Sequence, residues 1–147
     1  MKYKVRITIV CTIVIAGIFF WQNNAQAPRS DNLATLKIGA SLLTVELART
    51  PDEHASGLMY RETLAEDSGM LFLFPESRKQ IFWNKNTLMS LDVIWARNKK
   101  IIGISKLQTM ANGFQTIASP EPVDSVLEVN LGWAERHGIK IGDALEW

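Results

Sequence analysis

Beyond residue 27, no segment carries apolar residues at helical spacing for more than about two turns, which excludes most folds open to a chain of 147 residues. The apolar residues fall instead into short runs with strand character: TLKIG (35–39), SLLTVELA (41–48), MLFLF (70–74), RKQIFW (78–83), LMSLDVIWA (88–96), KIIGISKL (100–107) and DSVLEVNL (124–131). In the second run Leu43, Val45 and Leu47 share one face, while Thr44 and Glu46 share the other. Gly39, Pro75 and the Arg97-Asn98-Lys99-Lys100 stretch punctuate the series as turns or strand ends. About seven short strands with two short helices predict a mostly β domain, a compact barrel or sandwich, and argue against an α/β fold.

The two helices are legible from their ends. Thr50 can cap, Pro51 suits the first helical position and Glu53 completes a T-x-x-E capping box, with Gly57 limiting the helix to about two turns. GWAERHG (132–138) predicts one or two further turns, with Gly138 in the left-handed position that ends a helix. Thr109 to Pro122 reads as a long loop, and Gly142-Asp143 as a turn before the final residues.

The first 27 residues stand apart from the domain. Lys2, Lys4 and Arg6 precede the uncharged run Ile7–Trp21, and Ala25-Gln26-Ala27 follows as an A-x-A cleavage signal. As a helix the run would span roughly 22 Å, short of the roughly 30 Å of a bilayer core. Residues 1–27 are therefore expected to be a signal peptide, with a signal anchor as the alternative because Pro28 fits a peptidase poorly after the cut. Residues 28–33 read as a linker and 34–147 as one globular domain. The protein is expected to be exported, periplasmic or extracellular, and tethered to the membrane only if the leader is retained.

Removing the leader changes the charge. It takes three of 16 basic residues and none of 15 acidic ones, leaving net −2. No basic run exceeds Lys99-Lys100, so nucleic-acid binding by bulk charge is not expected, and membrane contact is expected only through the N-terminal segment. Cys11, the single cysteine, lies in the leader, which excludes disulfides and cysteine-based zinc sites from the domain. His54 and His137 are too few for a histidine metal centre; no D-x-D-x-D-G loop and no G-x-S-x-G motif occurs. No metal and no cofactor is implied.

The polar residues that need explaining lie in IFWNKNTLMSLDVIW (81–95), a polar run between two apolar ones. If Leu88 to Ala96 is one strand, Met89, Leu91, Val93 and Trp95 share a face, and Asp92 lies on the other beside Ile94. A carboxylate in such surroundings needs a cation or several donors. One reading brings Arg61, Lys85, Asn86, Thr87 and Asp92 into a single ligand-binding pocket; the other makes them a buried network that pins the loop. Glu128, between Leu127 and Val129, is a weak candidate for a second catalytic carboxylate opposite Asp92. Trp83, Trp95, Trp133 and Trp147 are expected in the core or at an interface, with a sugar-stacking platform as the alternative.

ARTPDEHASGLMYRETLAEDSGMLFLFP (48–75), FWNKNTLMSLDVIW (82–95) and LEVNLGWAERHGIKIGD (127–143) together resemble domain-of-unknown-function family 192, over about residues 34 to 147. The resemblance implies a small exported β protein and supplies no activity. Family members usually carry Met at the position of Asn84 and Pro at that of Ser90, so this chain has a more polar loop. The function expected from all of this is non-catalytic binding of a small polar ligand or cell-envelope component in a polar pocket, an envelope glycan being one candidate partner. A carboxylate-based glycan hydrolase and an envelope protein-interaction module are the alternatives.

Overall fold

The computed structural model describes residues 32–147. The expected leader, and the linker up to residue 31, lie outside those residues. The elements run β1 (Leu33–Ile38), β2 (Ser41–Ala48), α1 (Pro51–Ser56), β3 (Ser68–Arg78), β4 (Ile81–Trp83), β5 (Leu91–Arg97), β6 (Lys100–Leu107), β7 (Thr116–Ala118), β8 (Val123–Asn130), α2 (Trp133–Arg136) and β9 (Leu145–Glu146). Among the described residues no helix is long and apolar enough to cross a membrane.

Seven strands form one curled sheet in the order β6-β5-β8-β3-β2-β1-β9, and β4 and β7 form a separate two-stranded ribbon. Among the described strands only β2 and β3 pair in parallel, the helix α1 lying in the crossover between them. The C-terminal segment joins the two edges of the sheet. Leu145 and Glu146 pair with Ile38 and Lys37 of β1, while Ala144 bridges to Lys100 and Leu145 N–H donates to the Lys99 carbonyl at 2.8 Å. The sheet thereby becomes a barrel at that end, the mostly β architecture expected from the strand pattern.

Period-two alternation sends side chains to two cores. The inner core takes Leu36, Ile38, Leu43, Val45, Leu71, Ile94, Leu127, Val129 and Leu145, with Trp133 of α2 fully buried as a plug. The outer core takes Met70, Phe72, Val93, Trp95, Leu107 and Val126, and the ribbon covers it. Phe82 of β4 meets Phe72 and Trp95 edge-on, with ring centroids 5.0 and 5.5 Å apart, a geometry favoured by the aromatic quadrupole. Met89, Leu91, Val93 and Trp95 share the outer face, as the alternation predicts.

Two expectations are corrected. Pro75 does not end its strand: β3 runs on to Arg78, and the ladder to β8 shifts register between Leu73 and Arg78, so the missing Pro75 N–H costs no ladder bond. The Thr109–Pro122 loop also contains a 3-10 turn (Met110–Asn112) and the strand β7. Gly69 is demanded by packing, because a Cβ there would lie 2.7 Å from the Glu128 carbonyl oxygen.

Candidate functional site

The sheet separates Asp92 from Arg61, while Lys85, Asn86 and Thr87 stay together in one loop whose Asn86 clasps Tyr60, the neighbour of Arg61. Asp92 sits on the inner face, where one carboxylate oxygen accepts the Ala134 backbone N–H at 3.0 Å in the first turn of α2. Its other oxygen has no partner among the described residues. Arg61 lies on the opposite face, held by both arms of its guanidinium to Glu46 (one at 2.8 Å), which raises its pKa. The Lys85 ammonium lies 5.3 Å from the centre of the Trp83 ring. Asn86 donates to the Tyr60 hydroxyl at 2.6 Å, and buried Thr87 offers its carbonyl to Met110 N–H and the Thr109 hydroxyl. Periodicity placed Asp92 correctly within its strand, but not the face that Arg61 reaches from a distant loop.

The loop is pinned by a different residue, Asn84. Fully buried, it donates to the carbonyls of Gln108 (3.0 Å) and Gly113 (2.7 Å) and accepts from Gln115 N–H (2.8 Å). Three of the four hydrogen bonds an amide can make are filled. The more polar residue at this position is the anchor of both loops.

Glu128 and Asp92 do not face each other. The β5–β8 register pairs Asp92 with Val129 and Val93 with Glu128, so the two carboxyls project to opposite sides of the sheet. This removes the geometry a two-carboxylate hydrolase needs. Glu46, Met70, Glu128 and Val93 form a row across four strands on the outer face. Glu128 is 5 % exposed, and its carboxyl forms no hydrogen bond with a described residue. Burial pushes its pKa up to about 8. One oxygen lies 4.0 Å from where a Cβ on Gly57 would be, beneath the segment that follows α1.

The four tryptophans do not make one platform. Trp95 and Trp133 are fully buried; Trp83 and Trp147 are partly exposed, each under its own lysine, Lys85 and Lys99. His137 stacks on Trp133 at 4.3 Å and approaches the Asp67 carboxylate at 3.5 Å.

An open cleft of about 450 Å³ lies elsewhere, lined by Arg49, Pro51, His54, Phe74, Pro75, Arg78 and Gln80. The parallel pairing of β2 with β3 builds it: Ala48 is in register with Phe72, so Arg49 leaves β2 beside the part of β3 that carries Phe74 and Pro75. The capping box then fixes α1 across the gap. Thr50 Oγ1 accepts Glu53 N–H (3.2 Å), and Glu53 accepts the N–H groups of Arg49 (2.8 Å) and Thr50 (2.9 Å). Those backbone bonds hold the Glu53 carboxyl at about 2, well below its usual range. His54 is anchored by Nε2 to the Ala48 carbonyl at 3.0 Å and tilts against Phe74 at 4.6 Å. Gln80 is fixed by its backbone to Ser119.

None of the seven lining residues is acidic. The Arg49 guanidinium makes no hydrogen bond or ion pair with a described residue. Arg78 has only an exposed pair with Glu76 at 3.0 Å, a type worth little. Two guanidinium forks over a floor of Phe74, Pro51 and Pro75 suit a small organic anion, and the volume is within the usual range for such sites. Sequence reading missed this cleft because its residues flank two strands whose parallel neighbourship no local pattern encodes. The one available signal was basic residues at the strand ends, Arg49 just past β2 and Arg78 closing β3.

The sequence profile of the family DUF192, described as "Uncharacterized ACR", matches residues 34–147. Two solved structures are similar. One is a protein of unknown function from Novosphingobium aromaticivorans, with TM-score 0.72 and 33% identity over 78% of this chain and 85% of that one. The other is a "putative transcription regulator" from Sinorhizobium meliloti, with TM-score 0.71 and 38% identity over 78% of this chain and 95% of that one. No curated protein matches the chain.

Proposed function

The chain belongs to the DUF192 family, which carries no assigned activity, and from that premise we propose a non-catalytic domain that binds a small organic anion in the Arg49–Arg78 cleft. The observation that carries this reading is the pair of arginines lining one apolar-floored cleft without an acidic lining residue. A guanidinium fork matches a carboxylate or phosphate in two parallel hydrogen bonds. Binding is favoured over catalysis because the lining offers no nucleophile, and its one imidazole, His54, is committed through Nε2 to a backbone carbonyl. The leader-like sequence of residues 1–27 supports action outside the cytoplasm, which makes sugar acids and other envelope carboxylates the ligands to try first.

The test is a thermal-shift series with sugar acids, aromatic and aliphatic carboxylates and inorganic phosphate. A ligand at 100 times its Kd stabilises the native state by about 2.7 kcal/mol. Such a shift is expected for wild type and is lost in Arg49→Gln/Arg78→Gln, whose unliganded midpoint stays unchanged because both side chains are on the surface. No response to any of these anions, or an equal response in the double variant, overturns the proposal.

A further inference from the structure

We infer that the end of the molecule built by β4, β7 and the two loops pinned by Asn84 docks onto an anionic lipid surface. Phe82 turns into the outer core, so its neighbours Ile81 and Trp83 turn outward, 72 % and 47 % exposed. The Asn84 hydrogen bonds to Gly113 and Gln115 hold Phe114, itself 60 % exposed, two residues beyond the Trp83–Thr116 pair. Met110 N–H donates to the Thr87 carbonyl at 2.9 Å, which brings exposed Met110 to exposed Leu88. A neighbouring clasp adds Tyr60. Tyr60 and Asn86 both sit in the left-handed region, at φ 62° and 54°. They hold each other through Tyr60 N–H to the Asn86 carbonyl (2.8 Å) and Asn86 Nδ2 to the Tyr60 hydroxyl (2.6 Å). A bulky residue at positive φ is strained and persists only where its surroundings over-determine it. Here the strain keeps an aromatic ring in solvent.

The result is a cluster of tryptophan, tyrosine, phenylalanine, leucine and methionine side chains held in water by satisfied polar groups, the kind of exposed apolar patch that marks a docking surface. Charge decides the partner. Residues 77–91 and 108–120, which form most of this region, contain Arg78, Lys79 and Lys85 and no acidic residue, with Glu76 pairing Arg78 at the edge, although the chain beyond residue 27 is net −2. Lys85 holds its ammonium over the Trp83 ring, 5.3 Å from the ring centre. Trp and Tyr with a flanking lysine are the side chains that settle at the headgroup level of a bilayer, and basic residues add attraction to anionic lipid. The uncharged run Ile7–Trp21 lies only ten residues before Asn32, whose side chain contacts Glu53 of α1 at 3.0 Å. A short tether would therefore leave the domain close to any membrane that the run enters.

The test is a lysine acetylation footprint of the full chain, read by mass spectrometry, with vesicles of phosphatidylcholine, vesicles containing phosphatidylglycerol as well, and duplex DNA. Lys85 is expected to lose reactivity by about fivefold or more on the phosphatidylglycerol vesicles, while Lys140 keeps its reactivity. Trp83→Ala/Phe114→Ala, which removes exposed side chains only, should abolish that protection without moving the thermal midpoint. Recruitment through the N-terminal run alone would leave Lys85 as reactive as in buffer and overturn the inference. Protection of Lys85 by DNA but not by vesicles, or protection that survives in the double variant, would overturn it as well.

Discussion

Replacing Glu128 with glutamine should remove a pH dependence that burial builds into the fold. The carboxyl has an ordinary value of 4.5 and is raised to about 8 among Met70, Phe72 and Val93. Between those values the unfolded chain has released the proton and the folded chain still holds it. The unfolded state therefore binds fewer protons, and stability falls as pH rises. Each pH unit in that window costs about 1.4 kcal/mol, giving about 3 kcal/mol by pH 7 and about 5 kcal/mol above pH 8. Below pH 4.5 and above pH 8 the Glu128 contribution is flat. Urea unfolding of wild type and Glu128→Gln at intervals from pH 5 to 9 isolates this one group, because every other titrating residue is common to both. The difference in unfolding free energy should grow in favour of the glutamine variant by about 4 kcal/mol across the series. Parallel curves would refute the reasoning, showing that the carboxyl is as well solvated folded as unfolded.

Asp92→Ala leaves the Ala134 N–H buried without an acceptor and should cost about 1–3 kcal/mol; hydrogen exchange should quicken first in α2, and unchanged stability would show that water replaces the carboxylate. Asn84→Ala removes three hydrogen bonds and strands two carbonyls, so a loss of about 2–4 kcal/mol is expected. Proteolysis should then begin within residues 108–115, and resistance equal to wild type would show that these loops do not depend on the amide.

The sequence showed best those features that depend on neighbours in the chain. The capping box at Thr50 and Glu53 formed in both halves, Gly138 took φ 65°, and the two faces of β5 came out as alternation predicts. What stayed hidden depends on which strand lies beside which. Arg61 and Asp92 could be paired on paper because both belong to polar neighbourhoods; the register of β2, β3, β8 and β5 puts them on opposite faces. Glu128 alternates away from its apolar neighbours Leu127 and Val129. It is buried because the segment that follows α1, from elsewhere in the chain, covers that position, which no period-two pattern can report. The cleft was invisible for the same reason, since Arg49 and Arg78 meet only through the parallel β2–β3 crossover.

The stitch between Lys100 and Ala144 has a kinetic meaning. The strip that seals β1 to β6 follows all the other described strands in the chain, so until it is made the sheet is an unsealed cylinder with two unpaired rims. On its β1 side the seal joins segments about a hundred residues apart, the kind of long-range pairing that makes β topologies slow to finish and exposed while they wait.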